Sequence, residues 1–397
     1  MASAAGETQA SIHRWWRLYA AALVGTVPLL ALFIMAHRMP GFRLGPGDFA
    51  MFYTGATLVR ETPAALYDLD TQTHVQQTLL APYGWTYTNG LLPFNYPPFV
   101  AVLLQWIARF PLPTAYFIWL AMNIAALLAL IGYTHAPSRL LFAWLLLLWP
   151  ITWMVLLQGQ PSIWLALFLA AGWCHWRRGH AIAAGLWWAG LAIKPQFAVL
   201  VWLWVVWQRQ QRLLAGLAVG LGGLLLLTLF STGWQSLLDW GRMLLFTAQT
   251  NGAYGIAPTL MPNVRGMLFT LGIPAPWVWG VWGLAAVGML SLLVRLWQHA
   301  PAETAFAGTV IATLLLTPHS FLHDLVLLTA IAPLVWERAA AHARTATILL
   351  LATHALAFIN VFTRSPLLVS VLWGGVLCAW GWLVLKQAER TPRAAHL

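Results

Sequence analysis

The chain has 397 residues, of which 60% are hydrophobic and only 8% are charged, whereas a soluble domain carries about 25% charged residues. This composition excludes a soluble globular protein, because no fold hides so much apolar surface from water, and it indicates a lipid bilayer as the solvent. The net charge of +11 does not indicate nucleic-acid binding, because the basic residues form short clusters between apolar runs instead of one patch.

Apolar runs follow one another along almost the whole chain. They are 15–36, 94–108, 113–133, 140–157, 163–176, 181–193, 197–207, 213–230, 277–297, 305–316, 322–336, 346–362 and 367–385. Several are shorter than the roughly 20 residues that a crossing helix needs, so we expect half-helices or re-entrant pairs that line a cavity. The sequence therefore predicts an all-α polytopic membrane protein, a single transmembrane domain over 1–397 with about 11–13 membrane helices.

The sequence lacks the signals of two kinds of site, a cysteine-based site and a nucleotide-binding loop. Cys174 and Cys378 lie inside apolar runs and indicate neither a disulfide framework nor a metal site. No Gly-rich nucleotide loop is present, so we expect no cofactor.

The run 15–36 lacks a small-residue cleavage site after it, and we expect it to be the first spanning helix rather than a signal peptide.

Lysine and arginine set the expected orientation, because cytoplasmic loops are enriched in them. The basic clusters are Arg14/Arg17, Arg177/Arg178, Arg209/Arg212, Arg295, Arg338/Arg344 and Lys386/Arg390/Arg393. With these inside, 37–93 and 231–276 become two long extracytoplasmic loops, and both termini are cytoplasmic. We predict a multi-pass protein of the plasma (inner) membrane. Since this orientation needs an even number of crossings, at least one run between Phe94 and Leu157 should not cross.

The first outer loop has its own helical signals. Apolar residues recur at helical spacing over 48–61, and 70–80 reads as a second short helix that Pro82 and Gly84 end. We expect both helices to lie along the membrane surface.

The chain has so few acidic residues that the candidates for a general base can be found by elimination. Those expected outside the cytoplasm are Asp48, Glu61, Asp68, Asp70, Asp239 and Asp324, so a carboxylate general base must be among them. Asp48 is the best candidate, because it follows two glycines that allow an unusual turn. The alternative for Asp48 is a helix N-cap, and Asp68 also reads as a turn or cap.

Other polar groups fall on the same expected membrane face. Each has a plain alternative: Tyr96 opens a helix, Lys194 could extend to the membrane surface, and Arg265 could be a lone surface arginine. His319 and His323 are spaced for one helix face, yet without a third clear ligand they indicate substrate contact or a structural bond rather than a metal site. The remaining candidates are Gln158, Gln160 and Asn263.

These segments together resemble glycosyltransferase family 87, the polyprenol-phosphate-mannose-dependent mannosyltransferases with a GT-C fold. The matching pieces, in the expected order, are Gly47-Asp48-Phe49, Leu66-Tyr67-Asp68, Asn95-Tyr96-Pro97-Pro98, Gln158-Gly159-Gln160, Lys194-Pro195-Gln196, Pro262-Asn263-Val264-Arg265-Gly266 and the segment holding His319 and His323. The segment after Gln160 departs from the family pattern, because Pro161 stands where a small polar residue is common.

The resemblance implies transfer of a hexose, expected to be mannose, from a polyprenyl-phosphate sugar to an extracytoplasmic glycolipid or glycan with inversion. Asp48 matches the family's catalytic aspartate, which would deprotonate the acceptor hydroxyl. His323 matches a histidine near the donor phosphate. On charge grounds we expect Lys194 and Arg265 to neutralise that phosphate. The expected partners are the lipid-linked donor, the acceptor and membrane lipid.

Two other functions remain open from the sequence. Broken helices and buried charges also suit a secondary transporter or a flippase for lipid-linked glycans, although the long outer loops do not. A ligase or polymerase of lipid-linked glycans is the second alternative, and it predicts more arginines outside the cytoplasm than this chain has.

Overall fold

The computed structural model describes residues 47–87, 89–134, 139–337, 342–363 and 365–390. Within those ranges the regular secondary structure is helical; turns and loops join the helices, and an isolated bridge pairs Ala253 with Ile256. This confirms the all-α class, and it agrees with the GT-C architecture that the resemblance implies. The apolar run 15–36, expected to be the first spanning helix, lies outside the described residues.

The α-helices alternate with short turns and 3-10 segments. In chain order they are α1 Phe49–Glu61, α2 Leu69–Leu80, α3 Pro98–Leu104, α4 Leu112–Tyr133, α5 Arg139–Leu148, α6 Pro150–Gln158, α7 Ser162–Arg177, α8 Ala181–Ala189, α9 Pro195–Trp207, α10 Gln211–Thr232, α11 Gln235–Gln249, α12 Val264–Thr270, α13 Ala275–His299, α14 Ala302–Leu316, α15 Leu328–Glu337, α16 Ala343–Phe362 and α17 Trp373–Arg390.

Several helices can cross a membrane by their length and composition. Among the described residues they are Leu112–Tyr133, Gln211–Thr232, Ala275–His299 and Leu367–Glu389, and the pair α6–α7, bent by 118°, would make a fifth span. Shorter apolar helices cover Ala181–Ile193, Pro195–Trp207, Ala302–Leu316, Leu322–Trp336 and Arg344–Asn360. The protein is therefore polytopic, and broken helices of the expected kind are present.

One apolar run forms a helix that is too short to cross a membrane by itself. The apolar run 94–108 forms only α3 and a 3-10 turn at Ile107–Arg109. The seven residues of α3 rise about 10 Å, a third of the roughly 30 Å hydrocarbon core. By its length, this segment is a candidate for the run between Phe94 and Leu157 that we expect not to cross.

Contacts divide the chain into two compact units, each made of separate stretches. Within the described residues the first unit takes in 47–133 and 154–258, and the second takes in 134–153 and 259–390. The single domain expected over 1–397 stays a prediction.

Each unit is built around one helix that is buried on every side. In the first unit all residues of α1 from Phe49 to Val59 are buried, and in the second the same holds for α14 from Thr304 to Leu316. Helices that are apolar all round need this burial. Two of the candidate segments lie at the ends of these helices, since Asp48 immediately precedes α1 and the histidine segment follows α14.

The two helices predicted in the first outer loop are both present. Asp68 caps α2, because its Oδ1 accepts a hydrogen bond of 2.8 Å from the Thr71 backbone N–H. A hydrogen bond from the Thr71 hydroxyl and, to a smaller extent, this backbone bond hold the pKa of Asp68 below its ordinary value. Beyond α2 a 3-10 turn over Ala81–Tyr83 ends at Gly84, whose φ is +65°, as the Pro82 and Gly84 signal predicted.

Candidate active site

The loop that carries Asp48 is fitted against the turn that joins α6 to α7. Gly47 has a φ of +52°, and a Cβ there would lie 2.8 Å from the Gln158 Cα. Gly159 has a φ of +69°, and a Cβ there would lie 2.7 Å from the Phe49 Cβ. Both positions combine a left-handed backbone with a close approach, so only glycine fits them without strain. The two glycines bring Asp48 beside Gln160.

Asp48 occupies the N-cap position of α1, but its carboxylate does not cap the helix. Its Oδ2 accepts a hydrogen bond from the Gln160 side-chain Nε2. The carboxylate is half-buried. The capping alternative is therefore wrong for the side chain, which is turned toward the α6–α7 turn instead of the helix N-terminus.

The Gln160 amide is also hydrogen-bonded to Tyr96. The Tyr96 hydroxyl donates to Gln160 Oε1 at 3.2 Å, so the amide oxygen faces a donor and the amide nitrogen faces the carboxylate. The Tyr96 ring meets Phe52 edge-on with 4.6 Å between centroids. The Tyr67 hydroxyl donates to the Tyr96 backbone oxygen at 2.6 Å. Packing and hydrogen bonds thus fix Tyr96 on both sides.

Gln158 does not share in this network through its side chain. Its backbone supports Gly47, as described above, while its Oε1 makes no hydrogen bond within the part of the chain that the structure describes. The structure therefore brings Asp48, Tyr96 and Gln160 together and leaves the Gln158 amide outside.

Lys194 is buried inside the first unit, with 6% of its surface exposed. Its Nζ donates to the Ser162 hydroxyl at 3.3 Å and lies 5.8 Å from the ring centroids of both Tyr96 and Phe197. Both rings lie within the distance at which cation–π attraction acts. A lysine that extends to the membrane surface would be exposed, so that alternative is wrong. Lys194 instead adds positive charge beside Tyr96.

Tyr87 contacts the same loop and was not predicted. Its hydroxyl donates to the Gly47 backbone oxygen. Burial, and to a smaller extent the negative charge of Asp48, raise the pKa of the Tyr87 phenol well above its ordinary value. The phenol therefore stays protonated and remains a donor to Gly47. A bond to a backbone atom leaves no spacing pattern in the sequence, so nothing there could have identified it.

In the second unit Asn263 and Arg265 hold the backbone that follows α14. Asn263 caps α12 through the Gly266 N–H, and its Nδ2 donates to the Thr317 oxygen at 2.8 Å. Arg265 Nη1 donates to the Pro318 oxygen at 3.1 Å.

Arg265 is not a surface residue. Its exposed fraction is 2%, and its guanidinium lies 5.1 Å from the Trp279 ring centroid. Burial lowers its pKa, although an arginine keeps its charge in proteins. The surface alternative is wrong, and the structure holds a desolvated cation against the histidine segment.

His319 and His323 do not share a helix face as their spacing predicted. The helix α14 ends at Leu316, and the next helical turn begins at Leu322, so His319 lies in the bend between them. Thr317 precedes Pro318 and has a ψ of 118°, because the residue before a proline is driven out of the helical region. The two imidazoles instead flank Phe321, at 5.0 and 5.8 Å between centroids.

His323 is paired with the next residue. Its Nε2 lies 3.4 Å from Asp324 Oδ2, and the same oxygen accepts the Phe321 backbone N–H at 3.0 Å. Asp324 is buried to 1% exposure, so this carboxylate orients His323 and the turn. Among the described residues no three His, Cys, Asp or Glu side chains gather as metal ligands would.

One family model matches this chain, glycosyltransferase family 87, over residues 94–318. The match contains Tyr96, Gln160, Lys194 and Arg265. It excludes Asp48, His319 and His323, so it does not by itself assign their roles. Comparison with curated proteins and with solved structures gave no match. Because the match covers more than half of a chain with several membrane-crossing helices, this protein is a multi-pass membrane glycosyltransferase and belongs to glycosyltransferase family 87.

Proposed function

We propose that the protein transfers mannose from a polyprenyl-phosphate-mannose donor to an extracytoplasmic glycolipid or glycan, with Asp48 as the general base. The acceptor hydroxyl gives its proton to the Asp48 carboxylate while its oxygen forms a bond to the anomeric carbon. The bond between that carbon and the phosphate oxygen breaks, and its electron pair leaves on the phosphate. The products are an inverted glycoside and polyprenyl phosphate.

The observation that carries this proposal is the state of the Asp48 carboxylate. Although Asp48 stands at a helix N-cap, its side chain is directed away from the helix and held by the Gln160 amide. It is half-buried, which keeps it reachable for a substrate hydroxyl. A carboxylate oriented by an amide can take a proton from a hydroxyl that lies within hydrogen-bond reach.

We propose that Asn263, Arg265, His319 and His323 bind the donor phosphate. Arg265 supplies a buried cation, and His323 supplies an imidazole that can take up positive charge beside Asp324. Asn263 and His319 complete this group, and Asn263 also fixes the Thr317 backbone. Cationic donors at fixed positions stabilise the charge that develops on a leaving phosphate. Lys194 is proposed as a further cation for this reaction.

The proposed location is the plasma (inner) membrane, with Asp48 on the extracytoplasmic side and both termini in the cytoplasm. A lipid-phosphate donor is anchored in the bilayer, so its enzyme needs a membrane-embedded site. Membership of a glycosyltransferase family favours this reaction over the transporter and flippase alternatives.

The decisive experiment is Asp48→Asn in purified protein with labelled polyprenyl-phosphate mannose and a membrane lipid extract as the acceptor source. The amide keeps the shape of Asp48 but cannot accept the proton, so we expect transfer to fall about 100-fold or more. The matched control is Asp70→Asn, which changes an exposed carboxylate in the same loop and should keep wild-type activity. Near-normal transfer by Asp48→Asn would reject this aspartate as the base.

A further inference from the structure

Two glutamines of α2, Gln72 and Gln76, are buried together with Leu80, while the other residues of this short helix are at least partly exposed. Gln72 has 0% and Gln76 has 1% of its surface exposed. Glutamine is mostly found on protein surfaces, and a buried carboxamide is costly unless its donors and acceptor are all satisfied. Their burial therefore points to a specific set of partners.

Gln76 is satisfied by two different elements. Its Oε1 accepts the Leu92 backbone N–H at 2.7 Å, and its Nε2 donates to the Leu92 oxygen at 2.9 Å. The same Nε2 donates to the Thr54 hydroxyl of α1 at 3.2 Å. One carboxamide thus pairs with both backbone groups of Leu92, as a neighbouring β-strand would, and also ties this residue to α1.

Gln72 repeats the pairing two residues further along. Its Oε1 accepts the Phe94 N–H at 2.7 Å, and its Nε2 donates to the Leu66 oxygen at 2.8 Å, with a longer contact of 3.5 Å to the Phe94 oxygen. Four residues of helix rise about 6 Å, and two residues of extended chain span about 6.6 Å. The two side chains therefore match alternate residues of 92–94.

This pairing fixes both sides of the Asp48 network. Thr54 lies on α1, whose N-cap is Asp48, while Phe94 lies two residues before Tyr96, whose hydroxyl bonds Gln160. Gln76 is hydrogen-bonded to both elements, to Thr54 of α1 and to Leu92 of the extended segment.

We propose that Gln72 and Gln76 are positioning residues that hold the 92–96 segment against α1, so that Tyr96 keeps Gln160 aimed at Asp48. This proposal rests on the proposed function of Asp48. It assigns to α2 a role in catalysis that acts through Tyr96 and Gln160 and involves no contact with substrate.

The sharpest test is the substitution Gln76→Glu. When protonated, the carboxyl of this variant would reproduce the pairing with Leu92, because its O–H can donate to the Leu92 oxygen and its carbonyl can accept the Leu92 N–H; the bond to Thr54 is lost at every pH. Ionised, it has no donor and carries a buried charge, and burial raises a carboxyl pKa above the ordinary value of about 4.3. We expect kcat of Gln76→Glu relative to wild type to be about 10-fold higher near pH 5.5 than near pH 8, since small misplacements of a catalytic group cost one to two orders of magnitude.

The control is Gln77→Glu, which places the same carboxyl on an exposed neighbour and should give a ratio to wild type that does not change with pH. Dividing by wild type removes the titration of Asp48 itself. A pH-independent ratio for Gln76→Glu in folded protein overturns the positioning proposal, whatever the Asp48→Asn result. If Asp48→Asn is active, the proposed base fails instead.

A second measurement needs no activity assay. Gln76→Met keeps an unbranched side chain but removes both bonds to Leu92. Hydrogen exchange should then speed up at the amides of 92–96 and stay unchanged in α7 and α9. Unchanged protection of 92–96 would show that these glutamines do not hold the segment and would overturn the proposal.

Discussion

At the residue scale, the Asp48 carboxylate has two possible roles: it could cap α1, or it could face the α6–α7 turn. Asp48 follows a loop that would suit a helix cap, and local spacing alone favours that role. In the structure Asp48 does not cap the helix. Because positions 47 and 159 are glycines, the loop and the α6–α7 turn approach closely enough for Gln160 to reach the carboxylate. The catalytic proposal therefore depends on two glycines that carry no chemistry.

This dependence predicts a contrast between two glycine substitutions. Gly159→Ala and Gly179→Ala both place a side chain at positive φ, at +69° and +80°, which costs about 1–2 kcal/mol each. Only at position 159 does the new Cβ meet another residue, the Phe49 Cβ at 2.7 Å; at 179 it meets open space. We expect Gly179→Ala to stay active with a slightly lower melting temperature, and Gly159→Ala to lose most transfer activity.

Activity and thermal unfolding measured in the same detergent separate the two effects. Equal activity in both variants at equal stability would mean that the contact with Phe49 does not matter for Asp48.

Sequence chemistry identified the charged members of the site but not the side chains that support them. Asp48, Lys194 and Arg265 were identifiable because ionisable groups are rare in this chain. Tyr87, Gln72 and Gln76 bind backbone atoms distant in sequence, and such bonds follow from tertiary packing, which residue spacing does not encode.

At the element scale, prolines explain where the candidate side chains lie. Tyr96, Gln160 and Lys194 each immediately precede a proline, and each stands where a helix is about to begin. The residue before a proline is pushed toward extended backbone, so it leaves the helical hydrogen-bond pattern and its side chain is available for other contacts. The same rule ends α14 at Leu316, because Thr317 precedes Pro318; the spacing of His319 and His323 did not reveal this break.

Local signals predicted the helices of the outer loop well, and they allow a prediction about α2. Asp68→Ala removes its N-cap, which typically costs about 0.5–1 kcal/mol, and should speed hydrogen exchange in α2. Because the pKa of Asp68 is lowered in the folded state, this stabilisation is complete above the ordinary aspartate pKa and is lost as pH falls through the lowered value. The difference between variant and wild type should therefore shrink in acid.

The control for this experiment is Asp70→Ala, an exposed acidic residue in the first turn of the same helix. It keeps the Asp68 cap and should leave the exchange of α2 nearly unchanged. Similar acceleration in both variants would indicate a general charge effect rather than capping.

At the scale of the whole molecule, composition predicted a many-helix membrane protein, but not its division into units. Each unit combines stretches that are far apart in sequence, 47–133 with 154–258 and 134–153 with 259–390. Hydropathy marks where apolar helices occur and is silent about which of them pack together. The shortest apolar segments were also misleading as spans, as α3 shows, because an apolar run buried in protein resembles one that faces lipid.

Orientation is the remaining whole-molecule prediction, and it decides which side of the membrane Asp48 faces. The described part of the first outer loop, 47–87 and 89–93, contains Arg60 as its one Lys or Arg, and Arg60 is paired with Glu61 at 2.7 Å. Arg177 and Arg178 instead stand exposed at the C-terminus of α7, where the helix dipole also favours cations. By the positive-inside rule these two sites should lie on opposite sides.

Cysteine labelling tests this, starting from a variant in which Cys174 and Cys378 are replaced by serine. Asp70→Cys and Arg178→Cys place single thiols at exposed positions. An impermeant maleimide added to intact cells should label position 70 at once, and position 178 only after the membrane is permeabilised. The reverse pattern would put Asp48 in the cytoplasm, where a lipid-linked sugar is not needed because nucleotide sugars are available. Labelling of both sites in intact cells would remove the topology on which the outer active site depends, since an odd number of crossings must separate them.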